Sequence, residues 1–291
     1  MRFKLAVVIL NYNDATTTIK LLSKIQEFDI IKHIIVVDNC STDNSLQLLS
    51  EYNSSKIDVI KSEKNGGYGY GNNFGITYLS VTYHPTHILI ANPDVEIEEE
   101  VLLKMLKVFE LGDSIAVVAP FMINRARKKE RRTAWKIPTK YEYIFSTEMM
   151  CGHFLKLNNY ACLDKITDKD VLQVECVAGS LLMVNASLMQ QYGMYDENIF
   201  LFGEETTLGC KFKNAGLRTL LLLNETFMHI HSVSINKSIR SNLKKRKMML
   251  DSREYILKRY MNANLFDIIL AKIIFALSMI EYRFFLFSLK R

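Results

Sequence analysis

Leu5-Ala6-Val7-Val8-Ile9-Leu10-Asn11-Tyr12-Asn13 is the stretch on which the fold turns. Six apolar residues run without alternation and then give way to polar ones. A strand with one wet face alternates. A continuous apolar run belongs to a strand covered on both faces, as in a parallel sheet flanked by helices. The run is too short for the apolar region of a secretory signal, and Asn11 to Asp14 closes it at once.

Working outward, the pattern repeats. Thr16 to Phe28 has helical spacing at Ile19, Leu22, Ile25 and Phe28. His33 to Val37 is a second strand, and Ser41 is placed to cap a helix carrying Leu46, Leu48 and Leu49. Ile57 to Ile60, His87 to Ala91 and Ile115 to Ala119 continue the strands. Glu98-Glu99-Glu100 marks a helix start that suits the positive end of its dipole. These β-α-β units predict a mostly parallel α/β sheet. Further on, Val174 to Val184 has the pattern of a strand, Gly203 to Ala215 that of a helix, and Leu220 to Leu223 that of a last strand.

Composition narrows the class. The chain has 291 residues, 49% of them hydrophobic and 23% charged, with a net charge of +6. That is a well-ordered globular composition with a mild preference for anionic partners. Five cysteines in no C-x-x-C pattern exclude a disulfide framework and a zinc site, and fit a reducing cytoplasmic setting. The basic runs lack aromatic interleaving, so nucleic acid is not expected as a partner.

In an open α/β sheet, ligands bind beyond the carboxyl ends of the strands. Four such ends carry polar groups or bare backbone: Asn11 and Asn13, Asp38 and Asn39, the glycine-rich stretch Asn65 to Gly75 ("NGGYGYGNNFG"), and Asn92-Pro93-Asp94. That stretch holds five of the chain's twelve glycines. One reading of it is a loop that lets a phosphate come close to the backbone. Each piece also has a plain structural reading: Asp38 and Asn39 as turn residues, Asn-Pro-Asp as an ordinary turn, the glycines as a flexible linker. Glu204 and Glu205 follow "FLFG", where an apolar setting would raise a carboxyl pKa as a general base requires.

Seven segments together resemble glycosyltransferase family 2, in its rhamnosyltransferase-like branch. They are "VVILNYN", "VVDNCSTDNS", "NGGYGYGNNFG", "LIANPDVEI", "VAGSLLMV", "YGMYDENIFLFGEE" and "HIHSVS", in the family's order from about Ala6 to Ser234. The resemblance implies a nucleotide-sugar-binding fold of the GT-A type, with a nucleotide half (1–123) and an acceptor half (124–236). It also implies an inverting transferase that moves rhamnose or a similar sugar from a dTDP- or UDP-sugar. Asn92-Pro93-Asp94 looks like the family's D-x-D, with Asp94 and one of His229 or His231 holding Mg²⁺ or Mn²⁺. Glu204-Glu205 looks like its E-D pair, the second acid acting as base. Asp38 and Asn39 would recognise the base, Asn39 through its own carbonyl and amide. The glycine stretch would be the loop where the backbone passes the nucleotide, at Gly67 and Gly71, with Asn73 and the following helix start placing the ribose or diphosphate. Glu205 stands where Asp is usual, and Thr207 where a further Asp is common. An inactive nucleotide-sugar-binding protein of the same fold is therefore the alternative.

Two basic segments lie outside this frame. Arg125 to Lys140 holds eight basic residues, one acid and the chain's one tryptophan, Trp135. Residues 237–291 form a basic and apolar extension expected to be helical. Its apolar part, Leu265 to Leu289, is too often interrupted by charge for the roughly 20 residues of a spanning helix. The expected acceptor is a lipid-linked or polysaccharide glycan of the cell surface, met by an enzyme peripheral on the inner face of the plasma membrane. A pair of packed helices, or a homodimer contact, is the alternative use of the tail.

Overall fold

The computed structural model describes residues 3–146, 160, 163, 170–230 and 241–288. The first half runs β1 (Leu5–Asn11), α1 (Ala15–Ile25), β2 (Ile31–Asp38), α2 (Ser45–Ser50), β3 (Ile57–Lys61), α3 (Gly67–Thr82), β4 (His87–Ala91), β5 (Val95–Glu96), α4 (Glu99–Phe109) and β6 (Ile115–Ile123). The second runs β7 (Ala134–Trp135), α5 (Lys140–Phe145), β8 (Val171–Val174), β9 (Cys176–Val177), β10 (Leu181–Asn185), α6 (Glu204–Asn214), β11 (Arg218–His229), α7 (Asn242–Tyr260) and α8 (Leu265–Ser288).

The main sheet has the order β3-β2-β1-β4-β10-β6-β11-β5, with β8 paired to β11. β3, β2, β1 and β4 are parallel, as the β-α-β alternation predicts. β10 then enters antiparallel between β4 and β6, so the fifth predicted strand is not the neighbour of the fourth. The predicted strand from Val174 to Val184 is in fact three pieces, β8, β9 and β10, parted by a turn at Gly179. β11 is also longer than predicted and carries the chain through to His229.

Alternate residues of one strand feed two cores. Leu5, Val7 and Ile9 pack with α1, α2 and α4 on one face, while Ala6 and Val8 pack with α3 and α6 on the other. This is why β1 is apolar throughout. A third core joins α5, α7 and α8 through Ile144, Leu250, Ile256, Leu257, Ile268 and Phe275.

The glycine stretch is not a loop. From Gly67 it is the 16-residue helix α3. Glycine disfavours a helix by about 1 kcal/mol per residue against alanine, so packing must compensate. A Cβ on Gly75 would sit 2.8 Å from both Val8 and Val37, and one on Gly71 would sit 2.3 Å from Leu10. The missing side chains let α3 lie directly on β1 and β2. Gly67 is more restrictive. Its φ is +92°, and a Cβ there would lie 2.1 Å from the carbonyl oxygen of Phe200. Ser41 is likewise not a helix cap, because α2 begins at Ser45, four residues on.

Candidate active site

The ends of β1 and β2 are tied to one another. Asn11 Nδ2 donates to Asp38 Oδ2 at 2.9 Å, and the Ser41 amide donates to Asp38 Oδ1 at 2.9 Å. Asn13, at a positive φ of 53°, accepts from the Thr42 amide and donates its own amide to Ser41 Oγ. Asn39 accepts from Ser62 Oγ at 3.0 Å and donates to Gly67 O at 3.1 Å. Asn11, Asp38 and Asn39 are all buried. Both ends of the Asn39 amide are thus engaged within the chain, as are both oxygens of Asp38. Here they shape the turn after β2 and hold it to the start of α3.

Asn73 is also a tether. It donates to Tyr195 O at 3.0 Å and to Glu197 Oε1 at 2.9 Å, and accepts from the Tyr195 amide at 2.8 Å. The Tyr68 amide donates to Phe200 O. With Gly67 pressed on the same carbonyl, α3 fixes the segment from Tyr195 to Gly203 that leads into α6. The glycine and asparagine residues therefore position that lead-in, and the expected phosphate-binding backbone is a packed helix.

Glu204 and Glu205 open α6. Phe202 and Gly203 just before them both have positive φ, 76° and 103°. This sharp turn points the first helical turn at a cleft of about 410 Å³. Glu204, Glu205, Asn92 and His229 line it, with Tyr68, Arg132, Trp135, Tyr143 and Gly179 from other elements and Met249 and Arg253 from α7. Glu205 Oε1 accepts from the Gly179 amide at 3.3 Å. Glu204 is almost wholly buried, and its Oε1 has no hydrogen-bond partner among the described residues. Burial raises both carboxyls, and the neighbouring Glu205 raises Glu204 further. Thr207 lies inside the helix: it is buried, donates to Glu204 O at 2.9 Å, and is not part of the cleft lining.

Across the cleft, His229 Nε2 lies 3.2 Å from Asp94 Oδ1. β5 and β11 enforce this, since His229 pairs with Val95 and the Ile230 amide donates to Asp94 O. One carboxylate oxygen and one imidazole nitrogen converge there. These are two donors of types that divalent cations accept, fewer than the six or more ligands such a cation takes. Among the described residues no group of three or more His, Cys, Asp or Glu comes together as a full metal site. His231 lies outside the described residues.

The structure thus brings Glu204, Glu205, Asn92 and His229 to one cleft, with Asp94 behind His229. Asn11, Asn13, Asp38, Asn39, Gly71 and Asn73 are not among the residues that line this cleft, and their side chains and Gly71 contact other parts of the chain. Sequence reading did not find Tyr68, Tyr143 or Arg253. Tyr68 donates to Gly179 O at 2.6 Å, and Arg253 donates to Tyr143 O at 2.7 Å. Trp135, the lone tryptophan in a basic run, was the available signal for the cleft wall. Its Nε1 donates to Thr206 Oγ1 at 3.4 Å.

Comparison with known proteins bears on the family and the fold. The chain is 26% identical over 201 residues to the low-salt glycan biosynthesis hexosyltransferase Agl10 of Haloferax volcanii, covering 69% of this chain but only 59% of that relative. It is 24% identical over 217 residues to the rhamnosyltransferase WbbL of Escherichia coli, covering 73% of this chain and 78% of that one. The mannosyltransferase PcManGT of Pyrobaculum calidifontis, solved with GDP-Man and Mn²⁺, superposes with a TM-score of 0.60 at 14% identity, over 96% of this chain and 71% of the other. The fold is of the GT-A type with added C-terminal helices. The family model described as glycosyl transferase family 2 matches residues 6–171, more than half of the sequence, and the chain belongs to that family.

Proposed function

We propose that the protein is an inverting, divalent-metal-dependent glycosyltransferase. It moves a hexose, rhamnose or one similar to it, from a dTDP- or UDP-sugar to a lipid-linked or polysaccharide acceptor. One observation carries this reading: a pair of carboxyls with raised pKa lines one cleft with His229, which contacts Asp94. The named hexosyl- and rhamnosyltransferase relatives support the choice of sugar class.

Glu205 takes the proton of the acceptor hydroxyl as that oxygen attacks the anomeric carbon. The Gly179 amide holds its carboxylate in place. The raised pKa makes Glu205 a stronger base once it is ionised, and such catalysis contributes about 10²–10⁴-fold. Tyr68, Trp135 and Tyr143 give the cleft the flat apolar surfaces that sugar rings pack on. Asp94 and His229 would hold the cation, which when bound neutralises the departing diphosphate. Asn92 lies on the same wall, with its backbone amide fixed to Ser180 O at 2.8 Å.

The alternative, a binding protein without turnover, drew on Thr207. That residue is buried within α6 and takes no group away from the cleft lining. The deciding experiment is turnover of a panel of nucleotide sugars with Mn²⁺, on the wild type and on Glu205→Gln. Wild-type turnover that collapses in the variant, with sugar-nucleotide affinity kept, supports the transferase. Binding without turnover in the wild type supports the alternative. A larger loss in Glu204→Gln than in Glu205→Gln would reassign the base.

A further inference from the structure

We infer that α8 lies flat on an anionic membrane surface through its outward apolar face. One side of this helix is used within the chain. Ile268, Ala271 and Phe275 are buried in the third core, and Asp267 is bound to Lys140 at 2.7 Å. The other side is open. Phe266, Ile269, Ile273, Leu277, Ile280 and Phe284 recur every three or four residues, each half or more exposed. They form one stripe about 27 Å long at 1.5 Å per residue. A contiguous apolar patch of this kind on a soluble surface marks an interaction site.

Charge selects the occupant. Lys272 and Arg283 are exposed, stand three helical turns apart, and so lie along one edge of the stripe, Lys272 also lying 3.7 Å from Glu254 of α7. None of the exposed described side chains of α8 is acidic. α7 runs antiparallel beside it: Arg246 donates to Ser278 Oγ, and its guanidinium lies 5.5 Å from the Tyr282 ring. This sets exposed Lys244 and Lys247 at the Phe284 end of the stripe. From Asn242 to Ser288 there are nine basic and four acidic residues, which accounts for most of the chain's net charge of +6. An apolar face edged by cations is the pattern of a helix lying in the interface of an anionic leaflet. A second copy fits less well, since pairing the stripe with itself brings two rows of cations together. Among the described residues no helix is long and apolar enough to cross the bilayer, so the helix lies on the surface. The inference rests on exposed side chains and not on the transfer reaction.

The test is co-sedimentation of the full-length chain with vesicles of phosphatidylcholine alone, and of phosphatidylcholine mixed with phosphatidylglycerol, at low and high salt. Two variants with exposed changes are compared, Ile273→Ser with Leu277→Ser, and Lys272→Gln with Arg283→Gln. Circular dichroism checks that each folds. The wild type is expected to partition to anionic vesicles and to release as salt rises. The charge variant should lose about fivefold per cation on anionic vesicles only. The apolar variant should lose binding to both vesicle types. Glu205→Gln should partition as the wild type does, which separates this inference from the proposed activity. Absence of wild-type partition overturns it. So does a stable dimer in sedimentation velocity that the apolar variant dissociates while vesicles are ignored, since a second copy then covers the stripe.

Discussion

Gly67→Ala separates a glycine that serves packing from one that serves a ligand. The native φ of +92° lies where an L side chain is strained, at about 1–2 kcal/mol. The added Cβ would also meet the Phe200 carbonyl oxygen at 2.1 Å, a backbone atom that cannot rotate away. Overpacking of this kind costs about 1–3 kcal/mol. Gly67 does not have helical dihedrals, so alanine brings no helix propensity to offset these terms. The expected loss is about 2–5 kcal/mol, a large share of the stability of an ordinary domain.

Gly75→Ala provides the internal contrast. It also clashes, at 2.8 Å with Val8 and Val37, but it recovers about 1 kcal/mol of helix propensity. It should cost clearly less than Gly67→Ala. Urea unfolding followed by circular dichroism measures both as shifts in midpoint at constant slope. Because the strained contact is with Phe200, three residues before Gly203, turnover should fall in Gly67→Ala more than in Gly75→Ala. If Gly67→Ala proved as stable as the wild type while losing nucleotide-sugar affinity, the backbone there would face a ligand and the packing account of α3 would be wrong.

Other consequences can be measured in the same preparations. Asn73→Ala leaves the buried amide and carbonyl of Tyr195 without their partner and should cost about 2–4 kcal/mol in the same urea assay; an unchanged midpoint would remove its role as a tether. Asp94→Ala should cut turnover by orders of magnitude with the fold intact, and EDTA should do the same to the wild type; a wild type indifferent to EDTA would end the metal assignment. The raised carboxyls act in opposite directions on activity and stability. Turnover needs the ionised base, so it should rise with pH above the ordinary carboxylate range. Folding favours the protonated form, so the pair's contribution to stability is full below the unfolded-state pKa and is lost as pH rises through the raised folded values. Glu204→Gln, which never ionises, should therefore melt above the wild type at neutral pH, with the gap closing as pH falls.

What could be read in advance follows from which forces are local. The parallel half was legible because burial on both faces leaves a direct mark, an unbroken apolar run ending in polar residues. β1, β2 and β4 carry it, while the edge strand β3 is broken by Asp58 and only half-buried. α3 was misread because its glycines argue against a helix by propensity, while the stabilising contacts with Val8, Val37 and Phe200 come from distant parts of the chain. β10 gave no sign of its direction, since a run such as Leu181-Leu182-Met183-Val184 is equally apolar in either orientation. The tail showed its apolar content but not its division. Only the packing of Ile268, Ala271 and Phe275 reveals that the remaining apolar residues of α8 form an open stripe.

The site divides in the same way. Glu204, Glu205, Asn92 and Asp94 could be placed by motif and by the rule that ligands meet strand ends. Sequence could not show whether a polar atom at a strand end faces a ligand or a neighbour. Asn11, Asp38 and Asn39 answer by bonding to one another and to Ser41, Ser62 and Gly67. Arg253 reaches the cleft from α7, far along the chain, because Ile256 seats that helix against Gly203. The helix that carries the interfacial cations thus also forms a wall of the cleft. Docking of α8 on a membrane, as inferred above, would hold the cleft lined by Glu204 and Glu205 at a fixed height above that surface, the geometry that the proposed transfer to a lipid-linked acceptor needs.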